Sequence, residues 1–232
     1  MRMHIKNFYA LPRFDIGLWV TTLVLFFVGA YDALVVAPPE RMMGDVYRIM
    51  FVHVPSAWMA LIAFTVTCVC SVSYLLKGAG KSAQKFDAVA EASAEVGLLF
   101  NGFLLITGSL WGKPTWGVFW TWDPRLTTAA IMFCAFAGYL TLRSYMHDAE
   151  KRAVWAAVVA ILIYADIPIV WFSVKWWNSL HQLQSSPKTV DPAMVLPLRL
   201  NAFAFLGMYV AFVRQRYRIA LKAWSGAWRH VS

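Results

Sequence analysis

The chain has 232 residues, of which 60% are hydrophobic and only 14% are charged, and its mean hydropathy is +0.56. Soluble domains carry roughly 25% charged residues, so the composition excludes an ordinary soluble protein and predicts an all-α integral membrane protein. The formal net charge of +9 comes from basic residues scattered at the ends of apolar runs. This distribution is not that of a nucleic-acid-binding face, and no nucleic-acid partner is expected.

Six apolar runs approach the length of about 20 residues that a spanning helix needs. The predicted spans are residues 16–36, 56–76, 90–110, 127–142, 154–173 and 196–213. They predict one six-helix transmembrane domain over residues 1–232. The first run is longer than a signal-peptide core of roughly 7–15 residues, and no clear cleavage site follows it, so it is predicted to be a helix.

The orientation follows from the basic residues in the connections. One set of connections, which includes both termini, holds fourteen Lys and Arg residues, and the other set holds seven. The positive-inside rule therefore predicts that both termini are cytoplasmic. The segments 37–55, 111–127 and 174–195 then face outwards.

Residues 111–127 read W-G-K-P-T-W-G-V-F-W-T-W-D-P-R-L-T. An aromatic belt at the membrane interface is one interpretation of so many tryptophans, and a platform for a planar cofactor is another. The spacing places the rings on more than one side of any helix, and Gly117 interrupts the segment, which a belt does not need. Asp123 and Pro124 form a favourable N-cap and first residue for the fourth span.

Two of the five histidines, His53 and His181, fall in the predicted outer segments. A planar cofactor that carries a metal needs axial ligands of this type. Arg48 and Arg125 are placed to contact its carboxylates, because the guanidinium group binds carboxylates in a bidentate manner. Satisfied interfacial histidines, and arginines that only reach from helix ends to water, are the alternatives left open.

Four polar residues fall within or near predicted spans, where their burial in lipid is costly. They are Glu91, Glu95, Asn101 and Asp166. Glu91 and Glu95 could reach the cytoplasmic surface, whereas the role of Asp166 cannot be deduced from the sequence.

Several features argue against an enzyme. No C-x-x-C or C-x-x-C-H motif accompanies Cys68, Cys70 and Cys134, so neither a thioredoxin-type centre nor covalently attached c-type haem is expected. The G-K-S at 80–82 resembles the end of a phosphate-binding loop, but Leu75 stands where that pattern requires glycine. No residue has the setting of a nucleophile with a base.

Three motifs together resemble the CcmC family, the haem-handling membrane subunits of cytochrome c maturation, within the wider group of Trp-Trp-Asp haem-handling proteins. They are W-G-V-F-W-T-W-D at 116–123, H-V-P-S-A-W at 53–58 and W-W-N-S-L-H-Q at 176–182. Y-R-I-M before His53 and D-P-A-M at 191–194 extend the resemblance over most of the chain.

The resemblance implies haem b, held non-covalently and transiently, on the outer face of a bacterial inner membrane. His53 and His181 would be the axial ligands of the iron, and Arg48 and Arg125 the propionate contacts. The remaining residues implied at the site are those of the motif: Trp116, Gly117, Trp120, Trp122 and Asp123.

The implied partners are a periplasmic haem chaperone that receives the haem, an ABC ATPase subunit, a second membrane subunit and a small single-span subunit, in contact with membrane lipid. Two imidazoles saturate an iron, which suits a carrier. A haem-attaching synthase component is one competing hypothesis, although the extra spans or the large soluble domain of such proteins are missing from this sequence. The other is a transporter permease with an aromatic belt and a pathway lined by Asn101 and Asp166.

Overall fold

The computed structural model describes residues 12–78, 80–181 and 190–224, and within these ranges it contains helices and no β-strand. The helices are α1 (Arg13–Tyr31), α2 (Met50–Lys77), α3 (Lys81–Trp116), α4 (Pro124–Tyr145), α5 (Ala149–Tyr164), α6 (Asp166–Trp176) and α7 (Pro192–Trp224). A π-helical turn, Asp32–Val36, extends α1, and a 3-10 turn, Asp45–Ile49, precedes α2.

Six helical segments are long and apolar enough to cross a membrane, which confirms the predicted fold class and number of spans. They are Arg13–Val36, Asp45–Lys77, Lys81–Trp116, Pro124–Tyr145, Ala149–Trp176 and Pro192–Lys222. Several bounds differ from the prediction, since α2 begins at Met50 before the predicted position 56 and α7 continues to Trp224 beyond the predicted position 213. The fifth span is broken into α5 and α6 at Ala165, and α3 begins nine residues before the predicted position 90.

The helices run alternately between two ends of the bundle. We call the end that holds residues 111–127 the tryptophan end, and the other the opposite end. Helices α2 and α3 form the most extensive packing pair, while α4 packs against α3, α5 and α6, and α5 packs against α2. In the core, the rings of Phe64 and Phe136 stack with centres 3.8 Å apart. Gly97 allows α3 to lie close to α2, because a Cβ at this position would lie only 2.8 Å from the ring of Phe64.

Helix α1 lies at the edge of the bundle, mainly against α7. Small residues bring the two helices together: a Cβ on Gly207 would lie 2.4 Å from the hydroxyl of Thr22. The amide of Asn201 donates to the carbonyl of Gly29 at 3.0 Å. Near the opposite end, the buried Asp15 pairs with two arginines of α7, Arg214 and Arg218.

A buried ion network joins α3, α4 and α7 near the opposite end. Arg143 donates to both carboxylate oxygens of Asp87, at 2.7 and 2.9 Å, and to Glu91 at 2.8 Å. The indole of Trp224 also donates to Asp87, at 2.9 Å. These bonds stabilise the polar first turns of α3 as a helix. Glu91 is thereby paired with Arg143, and Glu95 is paired in the same way with Arg216.

Candidate functional site

The tryptophan-rich segment spans the end of one helix and a loop. Helix α3 ends at Trp116 because Gly117 adopts a left-handed conformation, with φ of 80°, and its amide donates to the carbonyl of Lys113 at 3.0 Å. The ammonium group of Lys113 donates in turn to the carbonyl of Gly117 at 2.9 Å. Trp111 and Trp116 therefore belong to α3, while the later tryptophans lie in the segment that leads to α4.

Asp123 connects the start of α4 to the segment that carries His181. One carboxylate oxygen accepts from the amide of Arg125 at 2.9 Å, which confirms the predicted N-cap. The other oxygen accepts from the amide of Leu180 at 2.8 Å. The side chain of Asp123 is only 7% exposed, so water competes little for these bonds. The carboxylate thus fixes the position of the residue that precedes His181.

His53 lies in the first turn of α2, so it is helical, although it was expected in an outer loop. It is 8% exposed. Its Nδ1 is 3.0 Å from the hydroxyl oxygen of Thr107 on α3, and its ring meets that of Trp111 edge to face at 5.6 Å. Gly108 leaves room for the imidazole, since a Cβ there would lie 3.0 Å from Cε1 of His53. Helix α3 therefore sets the orientation of this ring.

The structure brings the two predicted histidines together. The ring centres of His53 and His181 are 6.4 Å apart, and their planes are inclined by 30°. The ring of Trp116 lies beside His181, with centres 6.3 Å apart. His181 also bonds locally, since its backbone amide donates to the hydroxyl of Ser179 at 3.0 Å. Of the two histidines, His53 is therefore held on a helix, whereas His181 lies in a segment that is held by hydrogen bonds to the side chains of Asp123 and Ser179.

Both histidines line a cavity of about 240 Å³ between α2, α3, α4 and α6. Its wall is largely aromatic and apolar, as is usual for sites of small molecules. It includes five tryptophans: Trp58, Trp111, Trp116, Trp120 and Trp171. Asn101 and Met132 lie in the lining as well, so the cavity reaches from the tryptophan end into the membrane-spanning part of the bundle.

The two predicted arginines occupy different positions. Arg125 lines the cavity, and its Nη1 is buried with no hydrogen-bond partner among the residues that the structure describes. Such an unpaired buried donor is uncommon and calls for an explanation. Arg48 is not among the cavity residues: it donates to Asp45 at 2.9 Å and to the carbonyl of Ala33, which ties the loop before α2 to the end of the first span.

The predicted motif residues fall into three groups. Trp116 and Trp120 line the cavity, whereas Gly117 and Asp123 shape the backbone around it. Trp122 does not line the cavity and is 82% exposed, with its ring edge to face against Trp120 at 5.9 Å. One part of the motif therefore builds a wall, and another presents an exposed aromatic ring.

Sequence reasoning missed Thr107 and Gly108, the residues of α3 beside His53. The only available signal was a short polar T-G-S run at 107–109 inside an apolar span.

Of the polar residues predicted within spans, Asn101 lines the cavity and Asp166 does not. Asp166 begins α6, and its Oδ2 is buried without a partner in the described part of the chain.

The fold and site together define a class: a six-span membrane protein with an aromatic cavity that contains two imidazoles and a buried guanidinium group. Within the described ranges no cluster of three or more His, Cys, Asp or Glu residues could hold a metal ion by itself. A family model described as Heme exporter protein C matches residues 4–229. The chain belongs to this family.

Relatives in bacteria and plants show the same relationship. The chain is 37% identical to Heme exporter protein C of Haemophilus influenzae over 204 residues, which cover 86% of this chain and 81% of that protein. It is 35% identical to Heme exporter protein C of Bradyrhizobium diazoefficiens over 193 residues, covering 82% and 72%. A putative cytochrome c biosynthesis ccmC-like mitochondrial protein of Marchantia polymorpha is 36% identical over 178 residues, covering 75% and 74%.

Proposed function

We propose that this chain binds haem in the cavity at its tryptophan end, which faces the periplasm from the bacterial inner membrane. It then passes the haem to a periplasmic haem chaperone during the maturation of c-type cytochromes. In this role the haem is cargo, and the chain is a carrier that catalyses no reaction. The family and the names of the relatives support a role in haem delivery. The observation that carries the proposal is the separation of the two imidazoles.

Two imidazoles on opposite sides of one metal ion have ring centres about 6.2 Å apart, because metal–nitrogen bonds are about 2.0 Å long and each nitrogen lies about 1.1 Å from its ring centre. The rings of His53 and His181 are 6.4 Å apart. This agreement supports two axial ligands of one haem iron. We propose that both histidines bind the iron, so that small molecules such as oxygen find no open position on it.

The cavity wall fits the rest of the cargo. The indole rings of Trp111, Trp116 and Trp120 offer apolar surface to the porphyrin. Haem carries two propionates, and Nη1 of Arg125, which has no partner in the described part of the chain, is a buried donor at the same cavity. Arg125 is therefore the proposed propionate partner. Arg48, the second predicted partner, would first have to release its bonds to the loop.

The two ligands differ in how they are held, and this suggests the order of release. His53 is buried between α2 and α3, whereas His181 follows a segment held by Asp123 and Ser179. We propose that His181 leaves the iron first and that a histidine of the chaperone replaces it. The exposed ring of Trp122, beside the cavity wall, is a suitable contact for that partner.

The wider assembly follows from the family relationship. We propose an ABC-transporter-associated complex with an ATPase subunit, a second membrane subunit and a small single-span subunit, in which hydrolysis by the ATPase releases the loaded chaperone. We place ATP hydrolysis on the ATPase subunit, because the G-K-S at 80–82 of this chain begins a membrane-spanning helix and, within the described residues, is preceded by a helix and not by a strand.

The test is the production of c-type cytochromes in cells that carry single variants. His53→Ala and His181→Ala should each abolish haem-stained c-type cytochromes while the membrane protein accumulates normally. His147→Ala is the matched control, because His147 is an exposed residue at the opposite end, and it should have no effect. If both site variants support normal cytochrome levels while Asp166→Asn does not, the proposal is wrong and a permease with an aromatic belt is favoured.

A further inference from the structure

We infer that Thr107 is a positioning residue that fixes the tautomer of His53 and favours the oxidised form of the bound haem. This inference rests on the proposed function, since it concerns the same site. It is carried by the hydrogen bonds around a single hydroxyl group on α3.

The hydroxyl of Thr107 has three polar neighbours. The carbonyl oxygen of Phe103 is 2.6 Å away and that of Leu104 is 3.3 Å away, while Nδ1 of His53 is 3.0 Å away. Two oxygens approach to 2.6 Å only with a proton between them, and a carbonyl has none to give. The hydroxyl proton of Thr107 therefore points to its own helix, as is usual for threonine in helices.

Because its one proton is used, the hydroxyl of Thr107 can only accept from the imidazole. His53 must then carry its proton on Nδ1, which leaves Nε2 unprotonated. His53 is buried and Gly108 lies beside its Cε1, so a half-turn of the ring, which would exchange Nδ1 with Cδ2 and Nε2 with Cε1, is hindered. Helix α3 thus presents Nε2 as the nitrogen that binds iron.

The bond has a further effect on the iron. An imidazole that donates from Nδ1 to an acceptor becomes a more basic ligand through Nε2. A more basic ligand stabilises ferric iron more than ferrous iron, so the acceptor lowers the reduction potential of the haem. Thr107 would therefore keep the cargo ferric while it waits for transfer.

The direct test needs no haem. In haem-free protein with ¹⁵N-labelled histidine, the signals of His53 are assigned by their loss in His53→Gln. We expect a protonated Nδ1 and an unprotonated Nε2. A signal pattern with the proton on Nε2 overturns the inference, whatever the protein does with haem.

The second test compares Thr107→Val, which has the same shape without the acceptor, with Thr107→Ser, which keeps it. Loss of an outer partner of a metal-binding histidine costs roughly 10- to 100-fold in affinity. Each tenfold loss that is specific to ferric haem raises the midpoint potential by about 59 mV. We expect a raised potential in the valine variant, while the serine variant stays at the wild-type value.

The outcomes separate the two proposals. If wild-type protein binds no haem, or binds it without two histidine ligands, the proposed function fails while the tautomer remains testable by ¹⁵N signals. If wild type has a bis-histidine spectrum, and Thr107→Val has the same spectrum, affinity and midpoint potential as wild type, only the inference about Thr107 fails.

Discussion

Replacing Asp123 with asparagine should weaken haem binding while leaving the fold intact. The carboxylate has two oxygens, one for the amide of Arg125 and one for that of Leu180. Asparagine has one oxygen, so it can satisfy only one of these amides, and its NH₂ group faces the other. Asparagine is a good N-cap, and α4 is packed in the bundle, so the segment before His181 should be the part that gives way.

The magnitude follows from the bond that is lost. A buried hydrogen bond to a charged group contributes about 1.5–3 kcal/mol, and each 1.4 kcal/mol is a factor of about ten in affinity. Since this bond positions His181, the proposed ligand, the dissociation constant for haem should rise roughly 10- to 150-fold in Asp123→Asn. The assay is a titration of haem into purified protein in lipid nanodiscs, followed at the Soret band.

Asp148 provides a matched control. It caps α5 at the opposite end, where it accepts from the amides of Glu150 and Lys151, both at 3.0 Å. These hydrogen bonds lower the pKa of its carboxyl group, the bond from Lys151 being the main cause, yet its side chain is far from the cavity. Asp148→Asn should bind haem as wild type does. The reasoning is refuted if Asp123→Asn binds within twofold of wild type, or if the two variants weaken binding equally.

Three further changes test other contacts. Gly108→Ala should not stabilise the haem-free protein, because the contact of the new methyl group with the buried ring of His53 costs about 1–3 kcal/mol and offsets the gain of about 1 kcal/mol in helix propensity. It should also weaken haem binding roughly fivefold, about 1 kcal/mol, because the methyl group displaces that ring; equal haem affinity would contradict this. Gly207→Val should destabilise the protein by about 1–3 kcal/mol in thermal unfolding, because the new side chain meets Thr22 at the α1–α7 contact. The haem affinity of the folded protein should not change, because no α1 residue lines the cavity. Arg143→Met should cost about 3–5 kcal/mol, because the buried carboxylate of Asp87 then has no cation beside it and keeps only the hydrogen bond from the indole of Trp224. Adding Asp87→Leu should restore part of the lost stability; no recovery in the double variant would show that this ion pair is not the cause.

The spans could be predicted from the sequence because hydropathy and length decide which segments cross a membrane. Several helix ends could not, because tertiary contacts set them, whereas the start of α4 at Asp123 and Pro124 could. The polar start of α3 is helical as far as Lys81, since Asp87 finds its partner, Arg143, on α4. The break at Ala165 inside the fifth span is explained by Pro168, which has no amide to donate to the carbonyl of Tyr164 and whose ring clashes with that carbonyl, so this signal was present in the sequence.

The two histidines of the site could be predicted from residue type and predicted side of the membrane. Their separation could not, because it depends on the segment that Asp123 holds in place. Asp123 was correctly predicted as a cap, but its second bond joins residues far apart in the chain. Thr107 was missed because a threonine in an apolar helix usually bonds its own backbone, and only the structure shows His53 beside it.

The central claim is that His53 and His181 bind one haem iron, and electron paramagnetic resonance of the purified ferric complex tests it most directly. The account predicts a low-spin bis-imidazole signal in the wild type. In His53→Ala and in His181→Ala this signal should be replaced by a high-spin signal or lost with the haem. A wild-type complex that is high-spin, or two single variants that both keep the low-spin signal, would contradict the account.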